Sequence, residues 1–169
     1  MLTAGDAAAL YSLLRRGGIR CWVMGGWGVD ALLGRVTRAH KDLDILVLRG
    51  DLAVLHRFLE QHGFERKRLW ETENRWAQES GLTWPTAFLA ADPEGRELDI
   101  HVIETGPAAE VTVLCNVPWH LGAGSLDGRG TIAGTPVECV SARTQIRMHE
   151  GYPLPPAHVR DLDLLRDLL

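Results

Sequence analysis

The chain has 169 residues, 46% of them hydrophobic, which is enough for one well-buried core and too few for two ordinary domains. A formal net charge of −4 and a pI near 6.0 argue against nucleic acid as a partner, because coating a polyanion needs a broad basic surface. Cys21, Cys115 and Cys139 are widely spaced in apolar stretches and read as reduced thiols. The N-terminus lacks the features of a secretory signal, and no apolar run reaches the roughly eighteen residues that a membrane span needs, so a soluble cytoplasmic protein is expected.

In chain order, Thr3 or Asp6 caps a first helix with Ala8, Leu10, Leu13 and Leu14 at helical spacing, and Gly17-Gly18 ends it. Ile19 to Met24 is a short strand, Trp27 to Leu33 a brief helix stopped by Gly34, and Leu43 to Leu48 a second strand. Leu52, Leu55, Phe58 and Leu59 predict a helix that Gly63 closes, and Phe64 to Leu69 a third strand. The stretch from Trp70 to Thr86 carries Trp70, Trp76 and Trp84 among charges and has no clear periodicity. Phe88 to Ala91 and Glu97 to Ile103 form a hairpin around Asp92-Pro93-Glu94-Gly95. Beyond Glu104 the chain reads as loop until a strand from Thr135 to Val140. A helix capped by Ser141 follows, then a proline-rich break at 151–156 and a last helix from about Ala157. Strands and helices mix without strict βαβ alternation. The expected fold class is therefore α+β, a small mixed sheet flanked by helices in one domain over 1–169, with 141–169 as a C-terminal helical extension.

The chemistry concentrates in His40-Lys41-Asp42-Leu43-Asp44, sixteen residues after Gly25-Gly26. Side chains alternate along a strand, so Asp42 and Asp44 share one face while Leu43 and Ile45 take the other. Two carboxylates on a rigid strand suit Mg2+, a hard cation usually held by one or two carboxylates plus substrate phosphates. On the later strand Asp99 and His101 also share a face, and Asp99 could complete a cluster of three whose repulsion a divalent cation would offset. Gly25-Gly26 leads from a strand into a helix, whose N-terminal N–H groups favour an anion. It is neither a Walker motif nor a dinucleotide fingerprint, since the Gly-Lys-Ser/Thr and the required glycine spacing are both absent. Phosphates on one side and carboxylates on the other describe a nucleoside triphosphate site.

The stretch GGWGVDALLGRVTRAHKDLDILV resembles the signature of the DNA polymerase beta superfamily of nucleotidyltransferases. It is most similar there to the lincosamide nucleotidyltransferases and the aminoglycoside 2''-adenylyltransferases, and the later ELDIHVI resembles their third-carboxylate strand. The resemblance covers about the first hundred residues; MHEGY, at 148–152, resembles a further family element. It implies the nucleotidyltransferase fold, with Mg2+ on Asp42, Asp44 and Asp99 and with ATP or another nucleoside triphosphate as co-substrate. Gly25 and Gly26 would face the triphosphate, and Asp99 would be either a metal ligand or the general base for an acceptor hydroxyl. The implied partner is a small-molecule hydroxyl acceptor, an antibiotic such as a lincosamide or aminoglycoside, and a homodimer is expected by analogy. The competing readings are a protein-modifying nucleotidyltransferase of toxin–antitoxin type and a nucleotide-binding module without an antibiotic substrate.

Arg35, Arg38 and Lys41 lie between the glycines and the aspartates, where they would either neutralise phosphate charge or sit in a solvated loop. His40 is a candidate for orienting that loop or contacting phosphate, and His101 and Trp84 are candidates for the acceptor site, each against simple packing. Two departures from the relatives fall where the acceptor should bind. Pro85-Thr86-Ala87 stands where an arginine often follows a proline, and Val102 follows His101 where a proline is usual.

Overall fold

The structure, a computed structural model, describes residues 1–150 and 153–169. The last two residues of MHEGY and the start of the expected break at 151–156 therefore lie outside the described residues.

The first helix, α1 (Ala4–Arg16), opens on a capping box: Thr3 Oγ1 accepts from the Asp6 N–H at 3.1 Å and Asp6 Oδ2 accepts from the Thr3 N–H at 3.2 Å. Strand β1 (Cys21–Val23) follows, then α2 (Gly25–Leu33), β2 (Asp42–Leu48) and α3 (Leu52–Gln61). Next come β3 (Glu65–Leu69), β4 (Trp76–Glu79), β5 (Leu82–Pro85), β6 (Ala87–Ala91) and β7 (Glu97–Thr105). The chain ends with β8 (Val111–Val113), β9 (Trp119–His120), β10 (Gly128–Ile132), β11 (Thr135–Cys139), α4 (Ala142–Arg147) and α5 (Pro156–Arg166).

The main sheet runs β10-β11-β1-β2-β7-β6-β3, with β8 and β9 continuing from β7. It is mixed: β1 is antiparallel to β2, while β2 runs parallel to β7. Leu43, Ile45 and Val47 of β2 join Leu98, Ile100 and Val102 of β7 in a core completed by Leu10 and Leu14 of α1 and Leu52 and Leu55 of α3. Burying each such side chain contributes about 1.5–3 kcal/mol. A slip of one residue would exchange that face for the aspartate face, so the apolar pattern fixes where the carboxylates point. On the opposite side, Leu46 and Ile103 pack with Trp22, Val111, Val113, Leu121 and Val140 in a second cluster. The face that carries the aspartates is therefore polar at one end and apolar further along the strands.

Three expectations are corrected. Helix α2 starts at Gly25 rather than Trp27, so both glycines belong to its first turn. The uncertain stretch from Trp70 to Thr86 contains a two-stranded hairpin, β4–β5, turning at Ser80 and Gly81 with φ of 53° and 76°, the double positive-φ turn that suits strand twist. The region beyond Glu104 holds three strands, β8, β9 and β10; two of them are only three and two residues long, and β10 has glycines at Gly128 and Gly130, too little pattern for periodicity to register. At the C-terminus Leu162 and Leu165 of α5 pack on Val29 of α2, with Leu32, Leu33, Ile146 and Leu154 around them. The last two helices thus close over the helix that starts at the glycines.

Candidate active site

Three features meet at the end of β1. The Met24 N–H donates to the Asp44 carbonyl at 3.0 Å, which holds the start of α2 against β2. Gly25 then takes φ +60°, a left-handed conformation costly for residues with a Cβ, and any Cβ there would collide with the Asp44 carboxylate. A Cβ on Gly26 would likewise strike the His40 ring. No side chain caps this helix and its first turn holds no acidic residue, so the positive end of its dipole is turned to the site without a built-in counter-anion.

The parallel register sets Asp44 directly beside Asp99, Asp42 beside Glu97 and Leu46 beside His101. Burial, and behind it the negative charges of Asp42 and Asp99, pushes the Asp44 carboxyl up to about 8. Burial and then the Asp99 charge raise Asp42 as well. Asp99 Oδ1 accepts from the Trp70 indole N–H at 2.8 Å and lies 3.3 Å from His101 Nε2. Burial alone would lower the His101 pKa, but its bond to Asp99 and the charges of Asp99, Glu73 and Asp44 outweigh that and raise it. Among the described residues no three His, Cys, Asp or Glu side chains form a ready-made metal cage.

A cleft of about 640 Å³ opens over this face, within the usual range of small-molecule sites. Gly25, Gly26, Arg38, His40, Lys41, Asp42, Asp44 and His101 all line it. Arg38 is held there by Asp161 of α5, which accepts from Nε at 3.0 Å and from a terminal guanidinium nitrogen at 2.8 Å. Lys41 reaches Glu97 at 3.1 Å from the exposed rim. His40 is buried, with Nε2 2.6 Å from Asp30 Oδ2.

Three candidate residues do not line the cleft: Asp99, which is buried beside Asp44, and Arg35 and Trp84, which lie on other surfaces. Gly34 ends α2 in the left-handed conformation (φ 66°), and the turn it makes sends Arg35 outward to an exposed position in a separate depression beside Trp27 and Thr131. Trp84 stacks on His56 at 4.1 Å between ring centroids, on a different surface, because the β4–β5 hairpin folds it against α3. Conversely, the cleft wall includes Cys115, Trp119, Gln145, His158 and Asp161, none of which stood among the sequence candidates, together with Glu73 and His149. Those two carried a signal: Glu73 by its place in an acidic run between tryptophans that would attract an amine-bearing acceptor, and His149 by its place in MHEGY.

A helix N-terminus abutting paired strand carboxylates, on a mixed sheet with an open cleft above, is the arrangement of a nucleotidyltransferase. A sequence model of the aminoglycoside-2''-adenylyltransferase family matches residues 7–165, and the chain belongs to that family. As a nucleotidyltransferase it uses a nucleoside triphosphate as co-substrate. It is 24% identical over 155 residues to a lincosamide resistance protein of Staphylococcus haemolyticus, covering 87% of this chain and 84% of that one. It is 62% identical over 24 residues, 14% of each chain, to a 2''-aminoglycoside nucleotidyltransferase of Escherichia coli. Among solved structures, the lincosamide antibiotic adenylyltransferase LnuA, lincomycin-bound, superposes with a TM-score of 0.78 at 22% identity over 99% of both chains. ANT(2")-Ia in complex with adenylyl-2"-tobramycin does so at 0.67 and 23% identity, over 97% of this chain and 89% of that one. At these identities the superpositions speak to the α+β nucleotidyltransferase fold. No helix among the described residues is long and apolar enough to cross a membrane.

Proposed function

We propose that the protein transfers a nucleoside monophosphate from ATP, or another nucleoside triphosphate, to a hydroxyl of an antibiotic of the lincosamide or aminoglycoside type, with Mg2+ held by Asp42 and Asp44. The observation that carries this reading is the direct pairing of Asp44 with Asp99 beneath the left-handed Gly25. The residues suit Mg2+: hard oxygen donors whose pKa values are raised by burial and, behind it, by neighbouring acidic charge, on a rigid strand, with room for phosphates to complete the shell. When bound, the ion neutralises phosphate charge and the carboxylates' repulsion.

The chain's own groups divide the rest of the work. The first turn of α2 at Gly25 and Gly26 receives the triphosphate, with Arg38 and His40 beside it and Lys41 at the rim. Asp99, whose Oδ1 is engaged by Trp70 and His101, takes the proton of the acceptor hydroxyl. That oxygen bonds to the α-phosphorus, the bond to the β-phosphate oxygen breaks, and pyrophosphate leaves. The cleft supplies both an apolar wall, Met24, Val113, Trp119 and Met148, and a carboxylate at Glu73 to attract an amine-bearing acceptor. The homodimer expected by analogy is tested by sedimentation.

The reading is tested by incubating the protein with labelled ATP and Mg2+ against lincosamides, aminoglycosides and cell-lysate protein. Label on a small antibiotic supports it. Label confined to protein supports the regulatory alternative instead.

A further inference from the structure

Asp30 and His40 are buried together, their side chains 2% and 3% exposed. A carboxylate and an imidazole removed from water are costly unless their atoms are bonded, and here they are. Asp30 Oδ2 lies 2.6 Å from His40 Nε2, while Oδ1 accepts from the Thr37 N–H at 3.0 Å and from the Thr37 hydroxyl at 2.5 Å. The His40 ring also packs on Trp27, with centroids 4.6 Å apart. The ring atom left over is Nδ1, and it lies against Gly26, so close that a Cβ there would overlap it. Asp30 stands four residues after Gly26, one turn along the same helix. The glycine that opens the helix and the acid that holds the histidine over it thus belong to one rigid element.

We propose that Asp30 is a positioning residue for nucleotide binding: it holds His40 with Nε2–H directed into the protein, so that the Nδ1 lone pair is presented over Gly26 to accept from a ribose hydroxyl of the bound nucleotide. The inference rests on the reading that the triphosphate lies at Gly25 and Gly26. The arrangement follows the logic by which an outer carboxylate fixes the tautomer and the aim of a histidine whose other nitrogen does the binding. Thr37 extends the hold, because its two bonds to Asp30 Oδ1 leave that carboxylate a single orientation. A filler of the helix–loop junction would need neither a short Asp–His bond nor a histidine nitrogen facing the cleft.

The test is a double-mutant cycle read by calorimetric ATP affinity in Mg2+, with thermal stability measured alongside and the imidazole 15N spectrum of His40 as a direct report of its tautomer. Asp30→Asn and His40→Gln each weaken ATP binding by about tenfold, the lower end of what losing such an outer partner costs, and the double variant is no weaker than the worse single one. In the wild type the His40 spectrum shows one tautomer, protonated at Nε2, and in Asp30→Asn that preference is lost. Thr37→Val, which leaves the carboxylate in place, shifts ATP affinity in the same direction by less and serves if Asp30→Asn does not fold. Additive losses, or a drop in thermal stability with unchanged ATP affinity and tautomer, would overturn the positioning role. If His40→Gln weakens ATP binding while Asp30→Asn and Thr37→Val do not, that role fails and the triphosphate reading stands. If wild type binds no nucleotide, or His40→Gln leaves ATP affinity unchanged, the reading fails and the inference with it.

Discussion

Asp44 and Asp99 stand side by side across the parallel β2–β7 ladder, Cα opposite Cα, on the face turned away from the main core. Burial and its acidic neighbours raise the Asp44 pKa to about 8, far above that of a free carboxylate. Between pH 4 and 8 the folded, metal-free protein therefore keeps a proton that the unfolded chain has already lost. Since stability falls with pH wherever the native state binds more protons, metal-free protein is expected to lose thermal stability as pH rises from 4 to 8. On the proposed reading Mg2+ displaces that proton, so at pH 7 its binding is expected to release protons and its affinity to strengthen toward pH 8. Melting curves in chelator and in Mg2+ across this range check both signs.

Asp44→Asn removes one member of this carboxylate group without changing shape. Loss of a preorganised electrostatic contact of this kind costs about 10²–10³-fold in turnover. Circular dichroism should show the fold intact, and in chelator at pH 8 the variant should melt no lower than wild type, because the repulsion is gone. Full activity in Asp44→Asn would remove this residue from the metal site.

Gly25→Ala is expected to be as damaging as loss of the aspartate. Its backbone (φ +60°) costs alanine about 1–2 kcal/mol, and the new methyl pushes the Asp44 carboxylate from its place. Gly34→Ala, at nearly the same φ but with nothing near its Cβ position, should lose a similar stability and keep its turnover. Melting temperature and steady-state rates of the two variants separate backbone strain from damage to the site.

The outer surface supplies a control. His56 stacks between Trp84 and Phe88, and burial, then Arg66, pushes its pKa down to about 4. A depressed histidine contributes stability that is present above its unfolded pKa, near 6.5, and is lost as pH falls from there toward 4. His56→Phe should flatten the melting profile over that window. Trp84→Leu should lower the melting temperature and leave the acceptor KM within twofold, since Trp84 faces away from the cleft.

The positions of Asp42, Asp44 and Asp99 could be read because they follow from strand alternation, which depends only on neighbouring residues. Gly25-Gly26 carried its signal in the same local way. What could not be read are partnerships made across the chain: Asp161, which holds Arg38, lies 123 residues from it, and nothing near either residue announces the other. Asp30 was hidden differently, since inside an apolar helix an aspartate has no visible partner until the loop folds His40 back onto it. Arg35 and Trp84 were candidates by proximity in sequence, and a left-handed helix cap and a tight hairpin turned them elsewhere. The cleft wall drew on β8, β9, α4 and α5, and the two short strands among them take their order from pairing rather than from pattern.

Nucleotidyl transfer itself is tested most directly with ATP labelled separately in its α- and γ-phosphates, Mg2+, and a lincosamide or aminoglycoside acceptor, followed by mass spectrometry of the antibiotic. The α-label is expected to join the acceptor as one nucleoside monophosphate while the γ-label leaves in pyrophosphate. Transfer of γ-label to the antibiotic, or recovery of every acceptor unmodified, would contradict nucleotidyl transfer.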